Sequence, residues 1–223
     1  MVTKEQYLGL DDSKLVTFNS RNLKATPSSI AALVKLQTAA LADGYNLEVA
    51  SSWRSFERQF SIFDDKFNGR RVVLDKNEQP LDISSLSTKN KVIEIARFSA
   101  IPGFSRHHFG TDFDVFASNL LPDGQNLQLT AWEYGKGQYF YQFGKWLETH
   151  LEQFGFVRPF TGSGTVAWEP WHISYKTEAD VFLRDFSVSE AISYLKSQNV
   201  LWTNSAAEFV LEHIDSVFGE KCV

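Results

Sequence analysis

The chain has 223 residues, 43% of them hydrophobic and 14% aromatic, with six Trp and nineteen Phe. That is enough for one globular domain with an aromatic core, and no internal stretch reads as a linker. A net charge of −5 argues against a nucleic-acid partner, whose phosphates demand a basic face. No run approaches the roughly 18 apolar residues of a membrane span. The polar start Met1-Val2-Thr3-Lys4-Glu5-Gln6 carries no apolar stretch of signal-peptide length, so the expectation is a cytoplasmic protein without a membrane partner. The single cysteine, Cys222, excludes an internal disulfide and a thiolate metal cluster.

Thr26-Pro27-Ser28 is a helix start, with Thr26 as cap and Pro27 in the first turn. Ile30, Leu33, Val34, Leu36, Ala40 and Leu41 recur at helical spacing until Gly44. Leu47 to Ser51 reads as a short strand, and Ser55 caps a second helix running to about Lys66. Residues 67–87 are polar and turn-rich, an excursion over the surface. Asn90 to Ala100 is helical again, stopped by Ile101-Pro102-Gly103. Asp112 to Phe116 alternates polar and apolar, the period of a half-buried strand. A loop over 118–130 leads to an amphipathic helix from Tyr139 to Gln153, and Trp171 to Tyr175 reads as a strand. Helical segments near 178–184, 188–198 and 204–218 finish the chain. The order predicts an α+β fold with a small central antiparallel sheet flanked by helices.

The chemistry concentrates at His107, Asp114 and the run Glu169-Pro170-Trp171-His172. Two imidazoles and a carboxylate suit one zinc ion with an open fourth position, and Glu169 stands where it can work on a metal-bound water. Asp112 and Asp114 share one face of their strand, Phe113 and Val115 the other. If the apolar pair faces the core, both carboxylates face an open surface or cleft. Gly110 allows the tight bend between His107 and that strand. A lone histidine beside aromatics is more often a packed core residue than a ligand. His108 competes with His107 for the ligand role, and spacing does not choose between them. His150 and His213 lie on amphipathic helices as surface or boundary residues.

Ser105-Arg106-His107-His108-Phe109-Gly110-Thr111-Asp112-Phe113-Asp114 resembles the S-x-H-x-x-G-x-x-x-D signature of the VanY-type D-alanyl-D-alanine carboxypeptidases, part of the wider lysostaphin, D-Ala-D-Ala and hedgehog-type zinc group. Glu169-Pro170-Trp171-His172 is similar to that family's E-x-W-H signature. Ser52-Trp53-Arg54-Ser55, with Gln59, is similar to its upstream S-x-R-S-x-x-x-Q segment. The blocks fall in the family's order over residues 52–172. The resemblance implies a single zinc carboxypeptidase domain over 1–223, with a signature core at 45–176 and a helical extension at 177–223. It implies His107, Asp114 and His172 as zinc ligands and Glu169 as catalytic base. It further implies Arg54 as the cation that meets substrate or oxyanion, and Ser105 and Gln59 as substrate contacts. One departure stands out: the family usually has a small residue where this chain has Asp112. That carboxylate is then a partner behind a ligand histidine, a modifier of substrate choice, or a solvated strand residue.

The implied substrate is a peptidoglycan stem peptide ending in D-Ala. A cytoplasmic location favours an L,D-carboxypeptidase acting on tetrapeptide muropeptides in cell-wall recycling. The alternatives are a D,D-carboxypeptidase or dipeptidase on D-Ala-D-Ala ends and a phage-type L-Ala-D-Glu endopeptidase. A zinc-holding binding module without catalysis is a further reading, against which the presence of Glu169 argues.

Overall fold

The computed structural model of the chain describes residues 1–219, so Cys222 lies outside the described residues. Helix α1 (Lys4–Tyr7) opens the chain under a capping box between Thr3 and Gln6. Strands β1 (Val16–Thr17) and β2 (Lys24–Ala25) pair antiparallel. Helix α2 (Pro27–Ala42) begins as expected: the Thr26 hydroxyl accepts from the Ser29 amide, and Pro27 fits the first turn. Strand β3 (Leu47–Ser51) leads to α3 (Phe56–Phe67), capped by Ser55. The surface excursion folds into a small hairpin of β4 (Val73–Leu74) and β5 (Pro80–Leu81).

Helix α4 (Thr88–Ala96) starts earlier than its apolar pattern, because the Ser87 side chain caps it at the Asn90 amide. It also stops short of the expected Ala100. Strand β6 (Asp112–Ala117) follows, then α5 (Tyr141–His150), β7 (Phe156–Val157) and β8 (His172–Tyr175). Helices α6 (Lys176–Asp185), α7 (Val188–Ser197) and α8 (Thr203–Glu212) close the described chain. The last of these ends short of the expected Phe218 and continues as turns.

The central sheet has four antiparallel strands in the order β3-β6-β8-β7, the small antiparallel sheet flanked by helices that the sequence predicts. One face of β6 sends Phe113 and Val115 into a core shared with Leu33 and Leu36 of α2 and Phe143 and Leu147 of α5. A second core joins α3 and α4 to the C-terminal helices, with Phe56, Phe63, Val92, Ile95, Leu195, Trp202 and Phe209 buried together. Two residues of α2 depart from the inward pattern. Val34 and Leu41 are exposed, because the stripe through Ser29, Ala32, Leu33, Leu36 and Ala40 already fills the contact with the sheet.

Gly110 joins the two halves of the site region. Its φ of +73° is left-handed, and its carbonyl accepts from the Thr26 amide at 2.9 Å and the Ser29 hydroxyl at 3.2 Å. A Cβ there would lie 2.7 Å from Leu15 Cδ2. Gly110→Ala is therefore expected to cost about 1–2 kcal/mol for the backbone alone. Thermal unfolding would read this as a midpoint lowered by roughly 2–8 °C; an unchanged midpoint would show that the turn relaxes freely.

Candidate metal centre

Strand β6 is buried on both faces, and Asp114 sits directly opposite His172 of β8. His107 arrives on a one-turn 3-10 helix, Arg106–Phe109, that Gly110 terminates in left-handed conformation. Ligand atoms of His107, Asp114 and His172 lie within 4.8 Å of one another. Their protonation pattern follows from their outer partners. His107 Nδ1 lies 2.7 Å from the Ser52 carbonyl, which can only accept, so that nitrogen carries the proton and Nε2 faces Asp114 at 3.3 Å with its lone pair. His172 Nε2 donates to Asp112 Oδ1 at 2.9 Å, which turns the lone pair of Nδ1 inward, 3.3 Å from Asp114 Oδ1. Asp114 Oδ1 and His172 Nδ1 are buried without any hydrogen-bond partner. Buried polar atoms are rarely left so; two electron-pair donors facing each other across a gap fit a cation between them.

The neighbouring imidazole has a different use. His108 donates from Nδ1 to the Arg54 carbonyl at 2.7 Å, while its Nε2 accepts from the Gly103 amide at 3.1 Å. Both nitrogens are satisfied, and burial pushes the ring down to about 3, so it is a neutral structural bridge. The Arg54 amide in turn donates to the His107 carbonyl. The arginine segment and the histidine turn thus clasp each other through backbone and ring.

Asp112 corrects one expectation and decides another. Its carboxylate is fully buried, so it is neither a solvated strand residue nor open to a cleft. Arg106 Nε donates to it at 2.7 Å, Thr111 Oγ1 at 2.6 Å and Ser174 Oγ at 3.0 Å, besides His172. Burial alone would raise its pKa, but Arg106 and His172 hold it well below the carboxylate range. Arg106 is itself shared with Ser174 Oγ and the Phe218 carbonyl. Sequence reasoning weighed Asp112 as a partner of a ligand histidine but passed over Arg106. The signal was present: a carboxylate flanked by apolar residues on a buried strand needs a cation, and Arg106 lies six residues upstream.

These groups open on a cleft of about 380 Å³ lined by Arg54, Ser105, His107, Asp114, Glu169 and His172, among others. One Glu169 oxygen lies 3.5 Å from His172 Nδ1. Burial raises Glu169 to about 7 despite the opposing pull of His172, a carboxyl able to take and give a proton near neutrality. For His172, burial is outweighed by the flanking carboxylates of Asp112 and Asp114, which bring it up to about 9, so the ring would take a second proton at Nδ1 that a cation between the donors displaces. Arg54 is likewise lowered by burial and raised by Asp114 and Glu169, and remains a cation.

Gln59 stands behind Arg54 instead of on the cleft wall. It is fully buried, accepts from Arg54 at 2.6 Å and donates to the Ala100 carbonyl at 2.7 Å, so it orients the guanidinium. Both loops left open by the sequence wall the cleft: Arg71, Leu74 and Glu78 come from the excursion, Gln128 and Leu129 from the 118–130 loop. His150 stacks on Trp146 and His213 packs on Phe209, away from the donors. A cavity of similar volume beneath His108, lined by Val2, Leu15, Phe109 and Phe182, holds none of the three donors. No helix among the described residues is long and apolar enough to cross a membrane.

Comparison with known proteins places this arrangement. An uncharacterized protein of Haemophilus influenzae is 39% identical over 126 residues, 55% of this chain and 93% of the relative. A D-alanyl-D-alanine carboxypeptidase of Enterococcus faecalis is 26% identical over 147 residues, 64% of this chain but 45% of that protein. Among solved structures, VanYB in complex with D-alanine-D-alanine superposes with a TM-score of 0.53 at 22% identity, covering 83% of this chain and 89% of that one. A vancomycin-resistance D,D-pentapeptidase VanY in complex with Zn(II) gives 0.52 at 23%, covering 80% and 88%. Residues 22–178 match the VanY family, described as D-alanyl-D-alanine carboxypeptidase. With that match spanning well over half its length, the chain belongs to the VanY carboxypeptidase family.

Proposed function

We propose that the protein is a zinc carboxypeptidase that releases a C-terminal D-Ala from peptidoglycan stem peptides, acting first on the L,D bond of tetrapeptide muropeptides. The observation that carries the reading is the pair of orphaned inward atoms, Asp114 Oδ1 and His172 Nδ1, beside His107 Nε2 and the elevated Glu169. Two nitrogens and one oxygen are the donors a catalytic zinc site uses while keeping a corner open. When bound, zinc polarises the scissile carbonyl and lowers the pKa of its water. Glu169 takes the proton of the attacking water and delivers it to the leaving amine. Arg54 and Ser105 line the cleft where the substrate lies, and Gln59 keeps Arg54 in place.

The relatives bear on the substrate through their names: one is a D-alanyl-D-alanine carboxypeptidase, and one solved neighbour holds D-alanine-D-alanine. The stereochemistry of the residue before the scissile bond is read from products. Incubated with tetra- and pentapeptide muropeptides, the zinc-loaded protein is expected to release D-Ala from the tetrapeptide. Trimming of the pentapeptide alone would make it a D,D enzyme, and cleavage inside the stem an endopeptidase.

Glu169→Ala is expected to keep stoichiometric zinc and lower turnover by about 10²–10⁴-fold, whereas His172→Ala loses both metal and turnover. Unchanged turnover in the first variant would refute the base assignment. Stoichiometric zinc with no cleavage of any wall peptide by the native protein would favour a binding module.

Asp112 gives a prediction specific to this chain. Asp112→Asn keeps the shape but weakens its hold on the imidazole and leaves Arg106 without its buried anion. Zinc affinity is expected to fall about 10–100-fold, read by chelator competition. Unaltered affinity would reduce Asp112 to a packing role.

A further inference from the structure

One wall of the cleft carries more cations than the roles above use. Arg54 precedes α3, Lys66 lies in its last turn, and Arg71 follows it; all three line the cleft. Lys66 Nζ donates to Ser99 Oγ at 2.7 Å, and among the described residues no carboxylate forms an ion pair with it. Glu169 acts on Lys66 across the cleft without pairing with it, and the other nearby acids are engaged elsewhere. Glu78 takes the Ala131 and Trp132 amides. Asp64 takes Arg70 and Trp202, and Asp65 takes Arg70, with Arg71 Nε only at 3.8 Å. Burial, reinforced by Arg71 and Arg54, pushes the Lys66 ammonium down to about 8. A half-buried cation among cations, without a counter-ion, is a costly arrangement unless an anion arrives.

We propose that Lys66, with Ser99 beside it, is the subsite that receives the substrate's free C-terminal carboxylate, leaving Arg54 to face the reacting carbonyl. The inference rests on the carboxypeptidase reading and assigns that activity its terminus-recognising group. Arg54 is pinned by Gln59 at 2.6 Å and Ser51 at 3.1 Å, and it shares the cleft with Asp114 and Glu169. Lys66 stands at the other end of α3 from Arg54, and both line the cleft, so the two cations mark separate points along it. The terminal carboxylate of a carboxypeptidase substrate lies one residue, roughly 3.5 Å of chain, beyond the scissile carbonyl. Ser99 accepts from Lys66 and keeps its own hydroxyl proton to donate to the second carboxylate oxygen. An amidated or extended C-terminus would leave the ammonium unmatched, and a buried unmatched charge discriminates strongly. Arg71, more exposed, adds to the positive potential that draws the anion in.

The test compares two peptides that differ only in ending as D-Ala acid or D-Ala amide, on the zinc-loaded native protein and on Lys66→Met, Lys66→Arg and Ser99→Ala. The native protein is expected to prefer the acid. Lys66→Met should raise KM for the acid about 30-fold or more, with kcat changed less, so that the preference collapses. Lys66→Arg should restore part of it, and Ser99→Ala should lose several-fold. An acid-to-amide ratio that Lys66→Met leaves unchanged overturns the subsite. Native protein that cleaves neither peptide instead sinks the carboxypeptidase reading. Calorimetric binding of the two peptides then still decides Lys66: the subsite stands if Lys66→Met weakens the acid alone, and falls if both peptides weaken equally or neither does. Should Lys66→Met fail to fold, Lys66→Gln and Ser99→Ala supply the acid-to-amide ratios, and an unchanged ratio in both overturns the subsite.

Discussion

The pairing of β6 with β8 sets the site, because it puts Asp114 across from His172 on neighbouring strands. Side chains alternate along a strand, so slipping this register by one residue would turn both donors into the core and bring Phe113 and Ile173 to the metal side. What fixes the register is hydrophobic. Phe113, Val115 and Ile173 are fully buried against α2 and α5, and each such side chain contributes about 1.5–3 kcal/mol of burial. The Val115 amide also donates to the Trp171 carbonyl, extending the ladder by one step past the formal strand. The metal-binding face is thus specified by the opposite face, whose residues never touch a ligand.

That face then has to hold several charges out of water. Arg106 and Asp112 have side chains 5% and 0% exposed, where the desolvation of two ions rivals their mutual attraction. The pair is therefore poor evidence of stability and better evidence of placement. Every oxygen of Asp112 is engaged, by Arg106 and His172 on one side and by Thr111 and Ser174 on the other. A carboxylate held that firmly leaves the His172 ring one orientation. Phe160, edge-on to the ring at 4.7 Å, closes the remaining side. Removing one partner of such a network costs about 3–5 kcal/mol, since it strands an uncompensated charge, and this ties the metal site to the integrity of the fold.

The donors were legible in the sequence because the chemistry is local: an imidazole or carboxylate at a given position is the same group in any fold. The longer helices were legible through caps at Thr26 and Ser55 and apolar spacing. Strands of two residues, such as β1, β4 and β7, were not, since period-2 alternation has no meaning over two positions. The choice between His107 and His108 was beyond spacing, and is made by what lies behind each ring: one carbonyl for His107, a carbonyl and an amide for His108. Val34 and Leu41 were misread because apolar identity does not tell how wide a stripe the partner surface covers. The burial of Lys66 was invisible for the mirror reason, since a lysine near a helix end ordinarily reads as solvated.

Placement of Glu169 follows from the same backbone that positions His172. Glu169 donates its amide to the Phe160 carbonyl, and its own carbonyl accepts from the His172 amide at 3.1 Å. This tight turn brings a residue just outside β8 back over one inside it. Pro170 has no N–H and asks nothing of the sheet at the turn's second position. The main-chain bonds fix the direction in which the Glu169 side chain leaves the backbone, so only its own torsions remain to be ordered. Fixed there and buried, it has a pKa set by burial against the pull of His172. A carboxyl at the same distance on a mobile, solvated loop would ionise as an ordinary glutamate and be a weaker base. The short E-x-W-H spacing thus does two jobs: one residue turns an orphaned nitrogen toward the other donors, and its third neighbour upstream is held as a buried carboxyl 3.5 Å from that nitrogen.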